Sequence, residues 1–333
     1  MAARVGIPSS LFYYVHFPMW QTFFSELGIE VVTSGQTTKG LLDAGVREAL
    51  ADACVPVKVF FGHVIALKDK VDYLFIPRIV CLNKKTIYCP KFLGLPDMIR
   101  HGLTGMPPII DVEMDSREGW LSLWKSYLKI GRIFGIGRMK ILRAYLKARA
   151  VARRFQSLLQ SGLHPPEAMA ALIEGAGLTF SPDNETGGLV FAVLGYPYEV
   201  HDPFISVGLV NKLKKLGVKV ITMENLPPRK VARANPLEKN MFWTFSDLAL
   251  NSAYYLFQEG RVDGIIHLTA FGCGPDSMVD KFMEMASRDY PGVPFMSITI
   301  DEHTGDAGIS TRIEAFLDMV KRKKEVDWIP CPR

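Results

Sequence analysis

Three of the five cysteines share a local context that favours thiolate chemistry. Cys54 stands in Cys54-Val55-Pro56, Cys89 in Cys89-Pro90, and Cys273 in Gly272-Cys273-Gly274-Pro275. Each is followed within two residues by a proline, and each proline leads into apolar residues at helical spacing. Proline suits the first turn of a helix, where its missing N–H costs no bond. A residue just before that turn meets free N–H groups and the positive end of the helix dipole, which favour an anion. Such a setting makes a thiol a ligand or a reactive group. Cys81, inside Ile79-Val80-Cys81-Leu82, lacks the proline and reads as a small buried hydrophobe, with a role as a fourth ligand left open. Cys331 lies outside the pattern.

Grouped thiols admit three chemistries. A structural zinc site draws on close pairs such as C-x2-C, which are absent, although His63, His101, His267 or His303 could complete a Cys3His set. A nucleophilic cysteine needs one thiol and a base, and three exceed that need. An iron–sulfur cluster accepts scattered thiolates, and its negative charge suits three helix N-termini, each contributing about 0.3–1 kcal/mol. The cluster uses all three thiols and is the favoured reading.

A second polar concentration is Asp301-Glu302-His303, after the strand-like Val293–Ile300. Glu302 and His303 are candidates for acid/base work at a strand's carboxyl end. Thr311-Arg312-Ile313-Glu314 reads as a capping box, so a helix is expected from Arg312 and the loop is expected over Asp301–Gly308. His63 is one helix away from Cys54, and Lys58 and Arg312 could hold an anionic substrate.

The elements that must position these residues alternate between strand and helix, which predicts an α/β fold with parallel sheets. Strands are expected at Arg4–Pro8, Gly28–Thr33, Val71–Pro77 and Pro107–Asp111, with helices at Phe12–Leu27, Lys39–Ala53, Val57–Leu67 and Leu95–His101. Residues 116–180 then carry helical spacing broken by glycines at 131, 135 and 137. A second α/β half follows, with strands at Leu189–Leu194, Gly217–Thr222, Val262–Thr269 and Val293–Ile300. Helices are expected at Phe204–Leu216, Asn235–Gly260 and Asp276–Ala286. Two Rossmann-like halves with a helical insert between them result: residues 1–115 with Cys54 and Cys89, a basic insert at 116–185, and 186–333 with Cys273. Ligands of open α/β sheets bind at the carboxyl ends of strands, so a group shared by the cysteines would sit between the halves. No Walker loop and no G-x-G-x-x-G follows a strand.

At 333 residues the chain can hold two domains, and its 48% hydrophobic and 22% charged composition is globular. No uncharged apolar run reaches membrane-spanning length and no leader is evident, so a cytoplasmic location without membrane contact is expected. An odd number of cysteines argues against a disulfide framework. The net charge of +5 is uneven: residues 119–166 hold ten basic side chains and no acidic one. These are Lys125, Lys129, Arg132, Arg138, Lys140, Arg143, Lys147, Arg149, Arg153 and Arg154. Either this is a solvated face or it meets an anionic partner. Nucleic acid is not expected, since no nucleic-acid-binding signature accompanies the charge.

Five stretches resemble the acyl-CoA dehydratase activase-related proteins: Ala53–Lys58, Phe75–Arg78, Tyr88–Asp97, Phe271–Ser277 and Asp301–Gly308. These belong with the 2-hydroxyacyl-CoA dehydratase, benzoyl-CoA reductase and double-cubane cluster proteins. The resemblance spans most of residues 4–320 and is weakest over the basic insert. It implies an iron–sulfur cluster, most simply [4Fe-4S], at a domain interface on Cys54, Cys89 and Cys273, with one iron open and sensitivity to oxygen. It further implies reduction by a separate ATP-dependent activator carrying its own cluster, a small-molecule or acyl-CoA substrate, and a homo- or hetero-oligomer. A non-catalytic electron-transfer or cluster-bearing subunit of a larger complex is the competing class.

Overall fold

Short runs of β-branched and aliphatic residues form ten strands in chain order: β1 (Arg4–Ile7), β2 (Glu30–Thr33), β3 (Tyr73–Phe75), β4 (Arg78–Cys81), β5 (Ile109–Ile110), β6 (Glu113–Asp115), β7 (Val190–Leu194), β8 (Lys219–Thr222), β9 (Gly264–Ala270) and β10 (Phe295–Ile300). The structure is a computed structural model that describes residues 2–83, 85–174 and 188–327. One sheet has the order β2-β1-β3-β5 and the other β10-β9-β7-β8, with every pairing parallel. A two-stranded parallel ribbon pairs β4 with β6. In both sheets the first strand is flanked by the second on one side and the third on the other. Strand order therefore reverses between β1 and β3, and again between β7 and β9. Open α/β sheets receive ligands at such reversals.

Among the described residues, three helices stand between the halves: Trp120–Ile133, Arg138–Gln160 and Pro165–Glu174. Gly135, at φ +67°, makes the break between the first two. The long Arg138–Gln160 helix lies along Tyr13–Leu27 of the first half. Lys140 Nζ donates to the Leu27 carbonyl at 2.8 Å, and Lys147 Nζ pairs with Glu26 at 2.8 Å. Tyr127 meets Phe23 edge to face, with ring centroids 4.8 Å apart. No helix among the described residues is long and apolar enough to cross a membrane.

Several expected boundaries move, each for a local reason. The strand expected over Val71–Pro77 stops at Phe75, and the chain restarts as β4 after Pro77, which has no N–H for a ladder. Cys89 therefore follows the β4 ribbon rather than the main sheet. The helix expected from Phe204 begins at Leu209, because Asp202 Oδ1 accepts from the N–H groups of Phe204 and Ile205 and holds a turn. Residues 235–243 separate the helices Pro228–Ala234 and Thr244–Glu259. Asn235 precedes Pro236 and takes an extended conformation, as a residue before proline prefers. The capping box at Thr311 does not form. The last helix runs Asp306–Asp327, and Thr311 Oγ1 donates back to the Ala307 carbonyl at 3.0 Å.

The helix that carries Cys54, Val55–Ile65, crosses Lys39–Glu48 at backbone contact. A Cβ on Gly62 would lie 1.9 Å from the Leu41 carbonyl oxygen, and one on Gly45 would lie 1.9 Å from that of Lys58. Only glycine allows this approach. Gly62→Ala should cost about 1–3 kcal/mol or more of stability in urea denaturation. Gly308→Ala, on a helix with open space around it, should instead gain about 0.4–1 kcal/mol. Equal midpoints for the two variants would contradict the close crossing.

Candidate functional site

Each of the three cysteines occupies the capping position the sequence suggests. Cys54 precedes Val55–Ile65, Cys89 precedes Pro90–Leu93, and Cys273 precedes Gly274–Asp289. All three have extended backbones with proline in the first helical turn. The turn after β9 passes close to Cys54: a Cβ on Gly272, at φ +77°, would lie 3.6 Å from Cys54 Cα. Lys91, in the first turn after Cys89, donates its Nζ to the Asp52 carbonyl at 2.8 Å. Cys54 thus adjoins the loop of Cys273, and the residue two before it is bonded to the helix of Cys89.

An aromatic floor joins the halves around these loops. Phe12, after β1, packs on Tyr88 at 4.9 Å and Phe92 at 4.5 Å, on either side of Cys89. From the second half, Phe245 meets Tyr88 at 5.2 Å and Tyr198 meets Phe92 at 5.7 Å. Thr244 N donates to the Ile87 carbonyl at 2.8 Å, so the segment before Cys89 is held as a β-bridge by the second half. Lys58 Nζ pairs with Glu302 at 2.6 Å, joining the Cys54 helix to the loop after β10. Thr37 Oγ1 donates to Asp202 Oδ2 across the same boundary.

Burial dominates the electrostatics of the site. It pushes the Cys54 thiol up to about 11, with Glu199 adding and Lys91 opposing. Burial also raises Cys89, and it raises Cys273 with help from Glu199 and Asp276. Thiols in this state are protonated and unreactive unless a cation shares the site. Glu199 is wholly buried after β7, and burial first, then the Asp276 charge, raise its carboxyl far above the usual range. Buried polar atoms without partners gather at both strand-order reversals: the Ser9 and Ser10 hydroxyls after β1, and Glu199 Oε1, Thr269 Oγ1 and Asp276 Oδ2 in the second half. Among the described residues no group of three or more His, Cys, Asp or Glu side chains is arranged to hold a single metal ion. The set offers thiols, and orphaned hydroxyls stand on the loop after β1 and at the end of β9; thiols and hydroxyl donors are the chemistry a thiolate-ligated, negatively charged group requires.

The remaining candidates are placed elsewhere or committed. Cys81 is buried in β4, its Sγ 3.7 Å from Asn83 Oδ1, and caps no helix. His63 is satisfied by Ser34 at 2.8 Å and Thr37 at 2.9 Å. His101 is exposed. Arg312 donates to the Ser297 carbonyl at 2.8 Å. Glu302 is held ionised by its hydrogen bond from Lys58, and His303 is exposed with its N–H on Asp301. Cys331 lies outside the described residues. Sequence reasoning passed over Glu199, Asp276 and Lys91. One signal existed for Glu199: Gly195-Tyr196-Pro197 follows β7 with the same strand, glycine, proline order as the turn at Cys273.

Two parallel α/β sheets whose facing loops converge on proline-backed cysteines define a two-lobed thiol-bearing α/β protein. Residues 4–226 match the family described as CoA enzyme activase uncharacterised domain, and the chain belongs to that family. Residues 229–320 match a second family, 2-hydroxyglutaryl-CoA dehydratase, D-component, so this is an activase-related member of the 2-hydroxyacyl-CoA dehydratase group. No curated protein matches the chain. Cys54 and Cys89 fall within the first match and Cys273 within the second, so the site draws on both.

His267, on β9, is buried between two carboxylates, with Asp276 Oδ1 at 3.4 Å from Nε2 and Asp280 Oδ1 at 2.7 Å from Nδ1. Burial alone would lower its pKa, but the two aspartates overcome it and raise it to about 9. A raised pKa stabilises the fold fully below the unfolded value near 6.5, and that contribution is lost as pH rises through about 9. The unfolding free energy from urea titrations across pH 6–10 should fall over this window by on the order of 3 kcal/mol. His267→Gln should flatten the slope.

Proposed function

We propose that this chain holds an iron–sulfur cluster on Cys54, Cys89 and Cys273, is reduced by a separate ATP-dependent activator, and performs reductive or dehydratase-type chemistry on an acyl-CoA-like substrate. The observation that carries this reading is the three cysteines, each capping a helix opened by proline and drawn from both halves to adjoining loops. Bound there, a [4Fe-4S] cluster would supply a low-potential electron and an iron open to a substrate oxygen. The chain's own residues do the rest. Free N–H groups of three helices face the thiols, and the aromatic floor excludes water beneath them. Burial favours the uncharged form of Glu199, which lessens its repulsion of an anionic group.

Substrate has room beside this set. A cavity of about 590 Å³ is lined by Val55 and Val59 of the Cys54 helix, and by Phe204, Lys215, Glu302 and Thr304 from the second half. Lys215 forms no ion pair among the described residues and suits an anionic substrate group. Glu302, which lines this cavity, holds Lys58 in place, and exposed His303 follows it in the same loop. In this reading the activator docks on the insert. Lys140 and Lys147 are tied to the first helix, which leaves exposed Arg138, Arg143 and Arg154 to meet an acidic partner.

Anaerobically purified protein should be brown and contain iron with acid-labile sulfide. Alanine at Cys54, Cys89 or Cys273 should each abolish both, while Cys81→Ala should keep them; stoichiometric zinc without sulfide would overturn the assignment. Separately, reversing Arg138, Arg143 and Arg154 to Glu should slow reduction by the activator and leave the cluster spectrum unchanged. The wild-type rate should fall with salt, since exposed charges are screened over about 10 Å at 0.1 M. An unchanged rate in the variant would make the insert a solvated face.

A further inference from the structure

Away from the cysteines, the insert and the first helix enclose an apolar pocket of about 260 Å³. Its walls include Met19 and Trp20 from Tyr13–Leu27, Ile79 from β4, Leu123 and Tyr127 from Trp120–Ile133, and Phe155 from Arg138–Gln160. Core space of this size between well-packed helices is unusual, because interiors leave few voids larger than a water molecule. His16 also lines it. Its Nε2 is buried without a hydrogen-bond partner, and the ring is held between Phe12 at 5.8 Å and Trp20 at 5.6 Å. The pocket therefore has one unspent buried polar atom in a wall that is apolar apart from His16, Tyr127 and Gln156.

The pocket continues outward. Met19, Leu123, Ala152 and Gln156 also line an open groove of about 420 Å³, whose other side chains include Arg149 and Arg153. Both arginines are exposed and form no ion pair among the described residues, and the Arg149 guanidinium lies 5.7 Å over the Tyr145 ring. An apolar interior that opens beneath two unpaired guanidiniums matches one ligand shape, a hydrocarbon body with an anionic head. At the ~30 Å³ that a small group occupies in a liquid, the inner pocket takes about nine heavy atoms.

We propose that this pocket binds a medium-chain carboxylate, the chain buried among Trp20, Tyr127 and Phe155 and the carboxylate held by Arg149 and Arg153. Two guanidiniums can each offer paired N–H donors to a carboxylate, and the apolar lining with a few polar points is the usual composition of a small-molecule site. The site is separate from the cysteines and does not depend on their carrying a cluster.

Isothermal titration of the full chain with sodium decanoate tests this. One equivalent should bind, and each methylene removed, through nonanoate to octanoate, should weaken binding about fourfold, the equivalent of ~0.8 kcal/mol per buried CH2. Decyltrimethylammonium, with the same chain and a cationic head, should bind at least tenfold more weakly. The surface double variant Arg149→Gln/Arg153→Gln should lose about tenfold for decanoate with unchanged circular dichroism. Ala152→Trp, which fills the shared mouth, should abolish binding. The proposal is overturned if decanoate fails to bind at millimolar concentration, if the cationic amphiphile binds equally well, or if the arginine variant binds like wild type.

Discussion

The structure depends on the aromatic contact between its halves. Phe12, Tyr88 and Phe92 from the first half meet Tyr198 and Phe245 from the second, and Cys89 lies in sequence between Tyr88 and Phe92. Offset and edge-to-face pairs each contribute about 0.5–1.5 kcal/mol beyond the area they bury. The polar crossings, Lys58 to Glu302 and Thr37 to Asp202, sit around this floor and fix its register. Among the described residues no sheet runs continuously through both halves, so this aromatic contact and the polar crossings around it are what relate Cys273 to Cys54 and Cys89.

A second constraint acts on the thiols themselves. Each sits where a helix start favours an anion, yet burial favours the neutral form. Holding Cys54 near 11 disfavours its thiolate by roughly 3 kcal/mol, whereas one helix terminus returns about 0.3–1 kcal/mol. Burial wins. A free nucleophile needs the opposite balance, so the site suits thiols that ionise only when a cation arrives. The same logic accounts for Glu199. A carboxylate buried beside three thiolates would repel them, and burial favours its neutral form.

How much of this was legible depends on the range of the physics involved. Proline within two residues of a cysteine is a local signal; it placed the helix starts after Cys54 and Cys273 to within two residues, and after Cys89 a short helix, Pro90–Leu93, precedes the one expected from Leu95. The alternation of strand and helix gave two parallel sheets and the helices between them. The capping box at Thr311 failed because a competing local bond, to the Ala307 carbonyl, was equally available to the hydroxyl. The helix start expected at Phe204 failed because Asp202 captured two backbone N–H groups, a choice linked to the distant Thr37. Glu199 and Asp276 looked like ordinary surface acids, since sequence does not show that both are wholly buried. The ten insert cations likewise read as one patch, although Lys140 and Lys147 are spent on the first helix.

The two sheets share one strand order, and their reversal points differ only in what the loops carry. After β1 stand Ser9 and Ser10, whose buried hydroxyls lack partners; after β7 and β9 stand Glu199 and Cys273. Cys54 and Cys89 enter from helical and ribbon segments outside either main sheet. The first half thus contributes two thiols through elements braced by the second half, at Ile87–Trp243 and Lys58–Glu302. The second half contributes one thiol directly from its own reversal point. A group bound by all three would be a covalent bridge across an interface already closed by packing. Its binding free energy would then add to the cohesion of the halves, since anything that binds only the assembled state stabilises it. Site and interface are, in that sense, a single thermodynamic unit.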